Sequence, residues 1–172
     1  MTRAVLSIGS NVGDSLAHLR SVVSASGGHL VSVSSVYATA PWGGVEQQDF
    51  LNAVLIVDDV ERGPWEWLAF ARECEAAAER VRLQRWGPRS LDVDIVTCDD
   101  AVSADPELLL PHPRAHERAF VLVPWLELDP DATLLVDGLV RPVSHWLADT
   151  TEEDRAGVRR TDMTLHTPRH AE

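Results

Sequence analysis

Two aspartates separated by one residue, Asp92 and Asp94, are the first candidates for chemistry in this chain of 172 residues. Residues two apart in a β-strand point to the same face, roughly 6.6 Å apart along the chain. The segment SLDVDIVTC therefore predicts a strand that buries Val93 and Ile95 and presents both carboxylates on its other face. Mg²⁺ commonly takes one or two carboxylates from a protein and its remaining ligands from substrate phosphates. A solvated sheet face also explains the pair, so the spacing alone leaves both interpretations open.

An arginine-rich segment directly precedes the aspartates. RVRLQRWGPR contains Arg80, Arg82, Arg85 and Arg89 and no acidic residue, although the whole chain carries a net charge of −12. Solvation or ordinary salt bridges would explain a single arginine. Four of them beside two carboxylates favour a joint site, because arginine binds phosphate oxygens through paired donors. Anion and cation sites side by side are typical of phosphoryl transfer, in which the protein positions and neutralises the reacting groups.

Composition excludes several other kinds of function. All 15 cationic residues are arginine, so the chain contains neither a lysine-dependent P-loop nor a Schiff-base lysine. The net negative charge argues against a broad nucleic-acid surface. No apolar run approaches the roughly 18 residues that span a bilayer, and the N-terminal residues lack a signal-peptide pattern, so we expect a cytoplasmic protein. Cys74 and Cys98 have no CxxC spacing and are expected to be buried thiols.

Three further positions carry weaker signals. His112 stands between two prolines that restrict its backbone, and a structural role remains open beside a functional one. Phe50 and Asn52 share one strand face, and an aromatic ring beside an amide suits a flat heterocycle that needs both stacking and hydrogen bonds. Arg118 and Phe120 follow on the next predicted helix, where Phe120 could equally be an ordinary core residue.

Two residues have alternative roles that the sequence does not separate. Trp86 either anchors the arginine-rich loop to the core or covers a nucleotide. Glu75 lies on the apolar face of its helix and either pairs with a loop arginine or sits behind the metal site.

The elements that must position these residues follow the order β-α-β-β-α-β, the split βαβ pattern of ferredoxin-like α+β domains. Apolar patterns predict strands over 3–10, 29–39, 51–60 and 90–98, a first helix capped by Asp14 and stopped at Gly27, a second over 64–80, and a loop over 40–50. A C-terminal extension adds a short strand, a proline-containing loop, a helix from about His116 to Leu126, a hairpin turning at Asp137–Gly138 and a last short helix. We expect one domain over 1–149 and a polar, loosely packed tail over 150–172.

Four blocks in this sequence resemble one enzyme family. GSNVGD, TAPWGGVEQQDFLNA, RVRLQRWGPRSLDVDI and LPHPRAHERAFVLVP occur in the order and spacing of the 6-hydroxymethyl-7,8-dihydropterin pyrophosphokinases, and the resemblance runs from about residue 3 to 149. It implies a ferredoxin-like α+β fold and transfer of pyrophosphate from ATP to the hydroxymethyl group of a reduced pterin, with release of AMP, in tetrahydrofolate biosynthesis. It also implies that the loops VEQQDF and RLQRWGPR close over the two substrates and exclude water.

The resemblance assigns roles to residues by position. It implies that two Mg²⁺ ions are bound by Asp92 and Asp94, which act in catalysis together with Arg80 and Arg89. The ATP-binding residues that it implies are Arg80, Arg82, Arg89, His112 and Arg118. The pterin-binding residues that it implies are Thr39, Ala40, Trp42, Phe50, Asn52 and Phe120. Two positions depart from the family pattern, with Glu79 where glycine is common and Pro113 where some members carry tyrosine.

Two other functions compete with this one. A metal-dependent phosphohydrolase would use the same carboxylates and arginines with water as nucleophile, and a ferredoxin-like regulatory module would bind a small heterocycle without turnover. The partners that we expect are ATP and 6-hydroxymethyl-7,8-dihydropterin, with no nucleic acid or membrane, and the expected state is a monomer.

Overall fold

The computed structural model describes residues 2–41, 48–80 and 90–166, apart from the side chain of Arg80, and these residues form a mixed α/β fold. The strands in chain order are β1 (Thr2–Ser10), β2 (Leu30–Val33), β3 (Tyr37–Thr39), β4 (Phe50–Asp59), β5 (Asp92–Cys98), β6 (Ser103–Asp105), β7 (Leu108–Leu110), β8 (Thr133–Val136), β9 (Leu139–Pro142) and β10 (Arg159–Arg160). The helices are α1 (Ser15–Ser26), α2 (Pro64–Arg80), α3 (Ala119–Leu128), α4 (Val143–Asp149) and α5 (Glu152–Ala156).

The main sheet is antiparallel and brings distant parts of the chain together. Its strand order is β10-β3-β4-β1-β5, and β2 pairs with the part of β4 that β3 leaves free. Gly9 of β1 lies opposite Asn52 of β4 on one side and Asp92 of β5 on the other. Three neighbouring strands therefore contribute residues to the same end of the sheet.

One face of this sheet is covered by α1 and α2. Ile8, Leu55 and Ile95 point to that face and pack with Leu19 of α1 and Trp67 of α2 in one buried cluster. Burying a large aliphatic side chain contributes about 1.5–3 kcal/mol relative to leaving it exposed. This layer therefore holds the neighbouring strands β4, β1 and β5 together and leaves their opposite face free for other contacts.

Only part of the opposite face is packed. Val5, Val54 and Val96 form a second cluster with Leu122 and Trp125 of α3. At the other end of the same face the side chains are small or polar, and these residues line a cleft instead of joining this cluster. Because α3 covers one end of the face and stops short of the other, the sheet itself forms the floor of that cleft.

Helix α1 begins and ends where the sequence predicts. The carboxylate of Asp14 accepts a hydrogen bond of 3.1 Å from the backbone N–H of Ala17, which is the expected N-cap interaction. Gly27 follows the helix with a φ of 50°, a conformation that side-chain-bearing residues rarely adopt. The predicted cap and stop are both confirmed.

The two cysteines are buried free thiols, as the sequence predicts. Burial raises the pKa of Cys74 and of Cys98 to about 11 in each case. The thiolate is the reactive form of cysteine, so neither residue is a nucleophile at neutral pH.

The single strand predicted over 29–39 is wrong, because β2 and β3 are separated by a break at 34–36. The backbone N–H of Ser34 donates to the carbonyl of Val54 at 2.9 Å, while the N–H of Val54 donates to the hydroxyl of Ser34 at 2.9 Å. A side-chain oxygen thus replaces a backbone carbonyl in the ladder. The chain can leave the sheet at this point and rejoin it as β3.

The predicted start of the third helix is also wrong. Residues Ala115–Glu117 form a separate 3-10 turn, and Arg118 has an extended backbone with φ −110° and ψ 97°. Helix α3 starts only at Ala119. The extended residue places the side chain of Arg118 at the edge of the cleft rather than on the helix surface.

Residues 150–166 do not form the loosely packed tail that we expected from the sequence. They contain α5 and β10, and Arg159 and Arg160 pair with Ala38 and Tyr37 of β3. Leu165 is 2% exposed and belongs to the cluster beneath α1 and α2. Backbone pairing by two arginines requires no apolar alternation, which is why the pattern of the sequence did not reveal it.

Within the described ranges, no helix combines the length and the apolar character that crossing a membrane requires.

Candidate active site

Eight of the residues predicted to do chemistry line one cleft of about 790 Å³. Its floor is the open end of the sheet, and its rim is formed by the start of α3 and by the segment that contains α5. The predicted site residues that line it are Thr39, Ala40, Phe50, Asn52, Asp92, Asp94, Arg118 and Phe120. Strands and a helix that are distant in sequence thus supply a single cavity.

The paired carboxylates have the arrangement that their spacing predicts. Asp92 pairs with Gly9 and Asp94 with Ser7, so both lie on the face that forms the floor of the cleft. Val93 and Ile95 point the other way and are each 5% exposed. The side chain of Asp94 is 45% exposed, so this carboxylate is open to a ligand in the cleft.

Arg118 connects the two halves of the cleft. Its Nη1 lies 3.8 Å from Oδ2 of Asp94, and its Cζ lies 5.7 Å from the ring centroid of Phe120. The guanidinium therefore balances one carboxylate of the pair while it stays close to an aromatic face.

His112 lies beside the cleft but does not line it. Its backbone N–H donates to the carbonyl of Val96 at 2.9 Å, and its Nδ1 accepts the backbone N–H of Arg114 at 3.2 Å. Burial lowers the pKa of His112, and the charges of Arg118 and Arg114 lower it further against the opposing effect of Asp94. The imidazole is thus neutral at pH 7, and with Nδ1 accepting, its proton is on Nε2, where it can be donated.

The cleft also contains a fixed amide and two aromatic rings. Asn52 is 4% exposed, and its Nδ2 donates to Oγ1 of Thr39 at 3.1 Å. A Cβ on Gly9 would lie 3.2 Å from Oδ1 of Asn52, so the glycine leaves room for this amide. Phe50 from β4 and Phe120 from α3 are both partly exposed and line the same space. This set of groups suits a flat ligand with a polar edge.

The start of β5 is held by two glutamates of α2. Oε2 of Glu75 accepts the backbone N–H of Val93 at 3.3 Å, and Oε1 of Glu79 accepts that of Ser90 at 3.2 Å. The bond to Val93 places Glu75 behind the aspartate pair, while its other predicted role, pairing with a loop arginine, lies outside the described residues. Glu79 contacts Ser90, the residue that follows the arginine-rich segment.

Several predicted site residues lie outside the described part of the chain. They are Trp42, Arg82, Arg89, the side chain of Arg80, and also Arg85 and Trp86. Their roles remain predictions.

The cleft also contains residues that the sequence did not single out. Arg114 and Glu117 come from the turn before α3, and Glu153, Asp154, Gly157 and Val158 come from the segment around α5. Gly9 could have been found, because it belongs to the GSNVGD block. The C-terminal residues have no comparable signal, since contacts between distant parts of the chain, such as the pairing of β10 with β3, bring them to the cleft.

Among residues 2–41, 48–80 and 90–166, no three His, Cys, Asp or Glu side chains are grouped so that they could hold a metal ion. Mg²⁺ held by one or two carboxylates usually takes its remaining ligands from substrate phosphates and water.

Comparison with known proteins identifies the family. The model of the 7,8-dihydro-6-hydroxymethylpterin-pyrophosphokinase (HPPK) family matches residues 5–130. A 2-amino-4-hydroxy-6-hydroxymethyldihydropteridine pyrophosphokinase of Mycobacterium bovis is 53% identical over 168 residues, which cover 92% of this chain and 89% of the relative. The Mycobacterium leprae protein of the same name is 50% identical over 175 residues, covering 96% and 92%.

Solved structures support the fold. A crystal structure of a Plasmodium falciparum HPPK-DHPS triple mutant with pteroate matches with a TM-score of 0.69 at 12% identity. The match covers 92% of this chain but only 46% of that one, so the chain spans less than half of the larger protein. At this identity the likeness shows the fold alone. The family model and the mycobacterial relatives show that the chain belongs to the 7,8-dihydro-6-hydroxymethylpterin-pyrophosphokinase family.

Proposed function

We propose that this chain transfers pyrophosphate from ATP to the hydroxymethyl group of 6-hydroxymethyl-7,8-dihydropterin and releases AMP, a reaction of folate biosynthesis. Family membership supports the reaction. The observation that carries the proposal is the cleft, because an aspartate pair, an amide and two aromatic rings all line it. A phosphate-bearing donor and a flat acceptor can therefore be bound side by side.

The reaction is a displacement at phosphorus. The hydroxyl oxygen of the pterin forms a bond to the β-phosphorus, the bond from that phosphorus to the oxygen bridging to the α-phosphate breaks, and AMP leaves with that oxygen. The hydroxyl proton is released. The chain contributes chiefly by placing the two substrates in line and by neutralising charge.

Phe50, Phe120 and Asn52 are proposed to bind the pterin, with Thr39, Ala40 and Trp42 completing its polar edge. The rings would lie against the faces of the heterocycle, and the amide of Asn52 would bond to its edge. Since Asn52 is already held by Thr39, it needs little reorganisation when the ligand binds.

Asp92 and Asp94 are the residues proposed to hold Mg²⁺, as two ions. Their carboxylates share one face and open into the cleft, and the described residues supply no closed cage, so the donor set fits a hard cation that also takes phosphate oxygens and water. When bound, such ions neutralise the charge on the phosphate oxygens.

The phosphates of ATP are proposed to contact His112 and Arg118, together with Arg80, Arg82 and Arg89 of the arginine-rich segment. The neutral His112 offers an Nε2 donor, and Arg118 offers a guanidinium next to Asp94. We further propose that the core is a ferredoxin-like βαββαβ unit, with β2 and β3 counted as one broken strand. The sheet order supports this. A cytoplasmic monomer remains our expectation for the working state.

The test is AMP formation from ATP, measured with and without the pterin. We expect AMP only when both substrates and Mg²⁺ are present. Replacing Asp92 and Asp94 together by asparagine should lower turnover by more than about a thousandfold, because cation binding supports the main electrostatic contribution to the reaction. Asp100→Asn, at the exposed far end of β5, is the matched control and should behave like the wild type.

Phosphate release that needs no pterin would instead support the phosphohydrolase. ATP binding that is indifferent to Mg²⁺, without turnover, would support the regulatory module.

A further inference from the structure

The C-terminal segment contributes residues to the cleft, and it contacts two elements beside the aromatic rings, since α5 packs against α3 and β10 pairs with β3. Glu153, Asp154, Gly157 and Val158 line the same cavity as Phe120. All four lie beyond residue 130, where the match to the family model ends. This wall of the cleft is therefore built by a part of the chain that lies outside the match to the family model.

The segment is anchored both among and after these residues. Nη1 of Arg155, which lies between Asp154 and Gly157, donates to the carbonyl of Leu147 at 3.2 Å. After them, the backbone N–H and the hydroxyl of Thr161 donate to the carbonyl of Val36 at 2.9 and 2.8 Å, and Leu165 is buried in the core. The wall is thus fixed to the body of the protein at two points.

An ion pair connects this segment to the strand that carries Phe50. Nη2 of Arg159 lies 2.6 Å from Oδ2 of Asp49, the residue directly before Phe50. Arg159 also pairs through its backbone with Ala38 of β3. The two side chains of the ion pair are 59% and 45% exposed, so a contribution of about 0.2–1 kcal/mol is expected.

Charge indicates which substrate this wall faces. Glu153 and Asp154 are acidic and exposed, and they would repel a triphosphate. An uncharged, flat heterocycle suffers no such repulsion and can pack against Val158. The wall is therefore suited to the pterin rather than to ATP.

We propose that Glu152–Arg160 forms the pterin-side wall of the cleft, with Val158 in contact with the bound pterin and Arg159 as a positioning residue that holds Phe50 through Asp49. The proposal rests on the proposed function, because it names a further part of the site for the same acceptor.

The first test replaces a residue of the wall by one with a large side chain. In Val158→Trp the KM for the pterin should rise by about tenfold or more, corresponding to roughly 1.4 kcal/mol, while the KM for ATP stays within about twofold. Val140→Trp introduces the same change on the exposed strand β9, outside the cleft, and should match the wild type. Equal behaviour of the two variants, or an equal rise in both KM values, would overturn the proposal.

The second test does not depend on how well the tryptophan variant folds, because Arg159 is exposed. Arg159→Ala should raise the KM for the pterin by about threefold with kcat nearly unchanged, and Arg159→Lys should restore most of the loss. Arg141→Ala removes another 2.6 Å ion pair, to Asp149, away from the cleft, and is the matched control. If Arg159→Ala and Arg141→Ala have the same pterin KM, Arg159 does not position Phe50.

The wild type separates the two proposals. If it forms no AMP with ATP, Mg²⁺ and the pterin, the proposed function is wrong. If it is active and the variants at Val158 and Arg159 match their controls, only the wall is wrong.

Discussion

Individual side chains in the cleft differ in how many functions each one serves. Arg118 approaches both Asp94 and Phe120, so replacing it should disturb both the proposed phosphate site and the proposed pterin site. Phe120 has a simpler position. Its ring lines the cleft from α3, with the guanidinium of Arg118 on one side. It is therefore the better residue for separating the two substrates by mutation.

Phe120→Ala should weaken pterin binding and leave ATP binding nearly unchanged. Loss of one stacking ring costs about 0.5–1.5 kcal/mol beyond its buried area, so we expect the KM for the pterin to rise by about tenfold. Trp65→Ala, which removes an aromatic side chain that is 48% exposed outside the cleft, serves as the control. An ATP affinity that falls in parallel with the pterin affinity would place Phe120 among the structural residues.

At the scale of elements, Glu127 joins α3 to the broken edge of the sheet. Its Oε1 accepts the hydroxyl of Tyr37 at 2.6 Å, and its Oε2 accepts the backbone N–H of Ser35 at 2.7 Å. Burial and the bond to Glu127 raise the pKa of Tyr37 to about 12. Burial alone would raise the pKa of Glu127, but the bonds from Tyr37 and Ser35 outweigh it and lower that pKa. One carboxylate thus fixes β3 relative to α3.

Glu127→Ala should lower the free energy of unfolding by about 1 kcal/mol at pH 7, a modest value because the group is partly exposed. The pKa of Glu127 is lower in the folded state than in the unfolded state. The stabilisation that the carboxylate contributes is therefore complete above the pKa of the unfolded state and is lost as the pH falls through the pKa of the folded state. The difference in the free energy of unfolding between wild type and variant, measured by urea denaturation, should therefore be constant from pH 7 to about pH 5 and shrink below pH 4.5.

Glu73→Ala, on the exposed face of α2, is the control for this measurement. The difference in the free energy of unfolding between wild type and Glu127→Ala could instead stay constant down to the lowest pH at which both proteins fold. That result would show that the ionised carboxylate is not the source of the effect.

The elements also show what a sequence can predict. Helix α2, strand β5 and the face shared by Asp92 and Asp94 follow from local periodicity, because each buries one regular apolar stripe. The break between β2 and β3 depends on Ser34 bonding to Val54, a contact between distant residues. The late start of α3 depends on the extended backbone of Arg118. Neither has a local pattern, so both were predicted wrongly.

At the scale of the whole molecule, the C-terminal part of the described chain packs against elements formed early in the sequence. After α4 it passes the cleft, pairs with β3 and ends its described part against the cluster beneath α1 and α2, where Leu165 is 2% exposed. The floor of the cleft and the wall beside it thus come from distant parts of the sequence. The C-terminal part of the site could not be predicted, because contacts between distant parts of the chain bring it there.

Leu165→Ala should destabilise the protein by about 2–4 kcal/mol, as expected when a buried leucine is truncated. Leu139→Ala, on β9 with 55% exposure, should stay within about 0.5 kcal/mol of the wild type. Chemical denaturation of both variants measures the two changes in the free energy of unfolding. Equal stability of the two would restore the interpretation of residues 150–166 as a loose tail.

The two-residue strand β10 has a consequence for the behaviour of the protein at high concentration. An open strand edge offers free N–H and C=O groups to any other chain, and β3 would be such an edge without β10. The short strand occupies that edge, and the side chains of Arg159 and Arg160 add charge where a second copy would have to approach. The strand that carries Thr39 is thereby kept from pairing with another molecule, and a chain cut before residue 150 is expected to self-associate where the full chain stays dispersed.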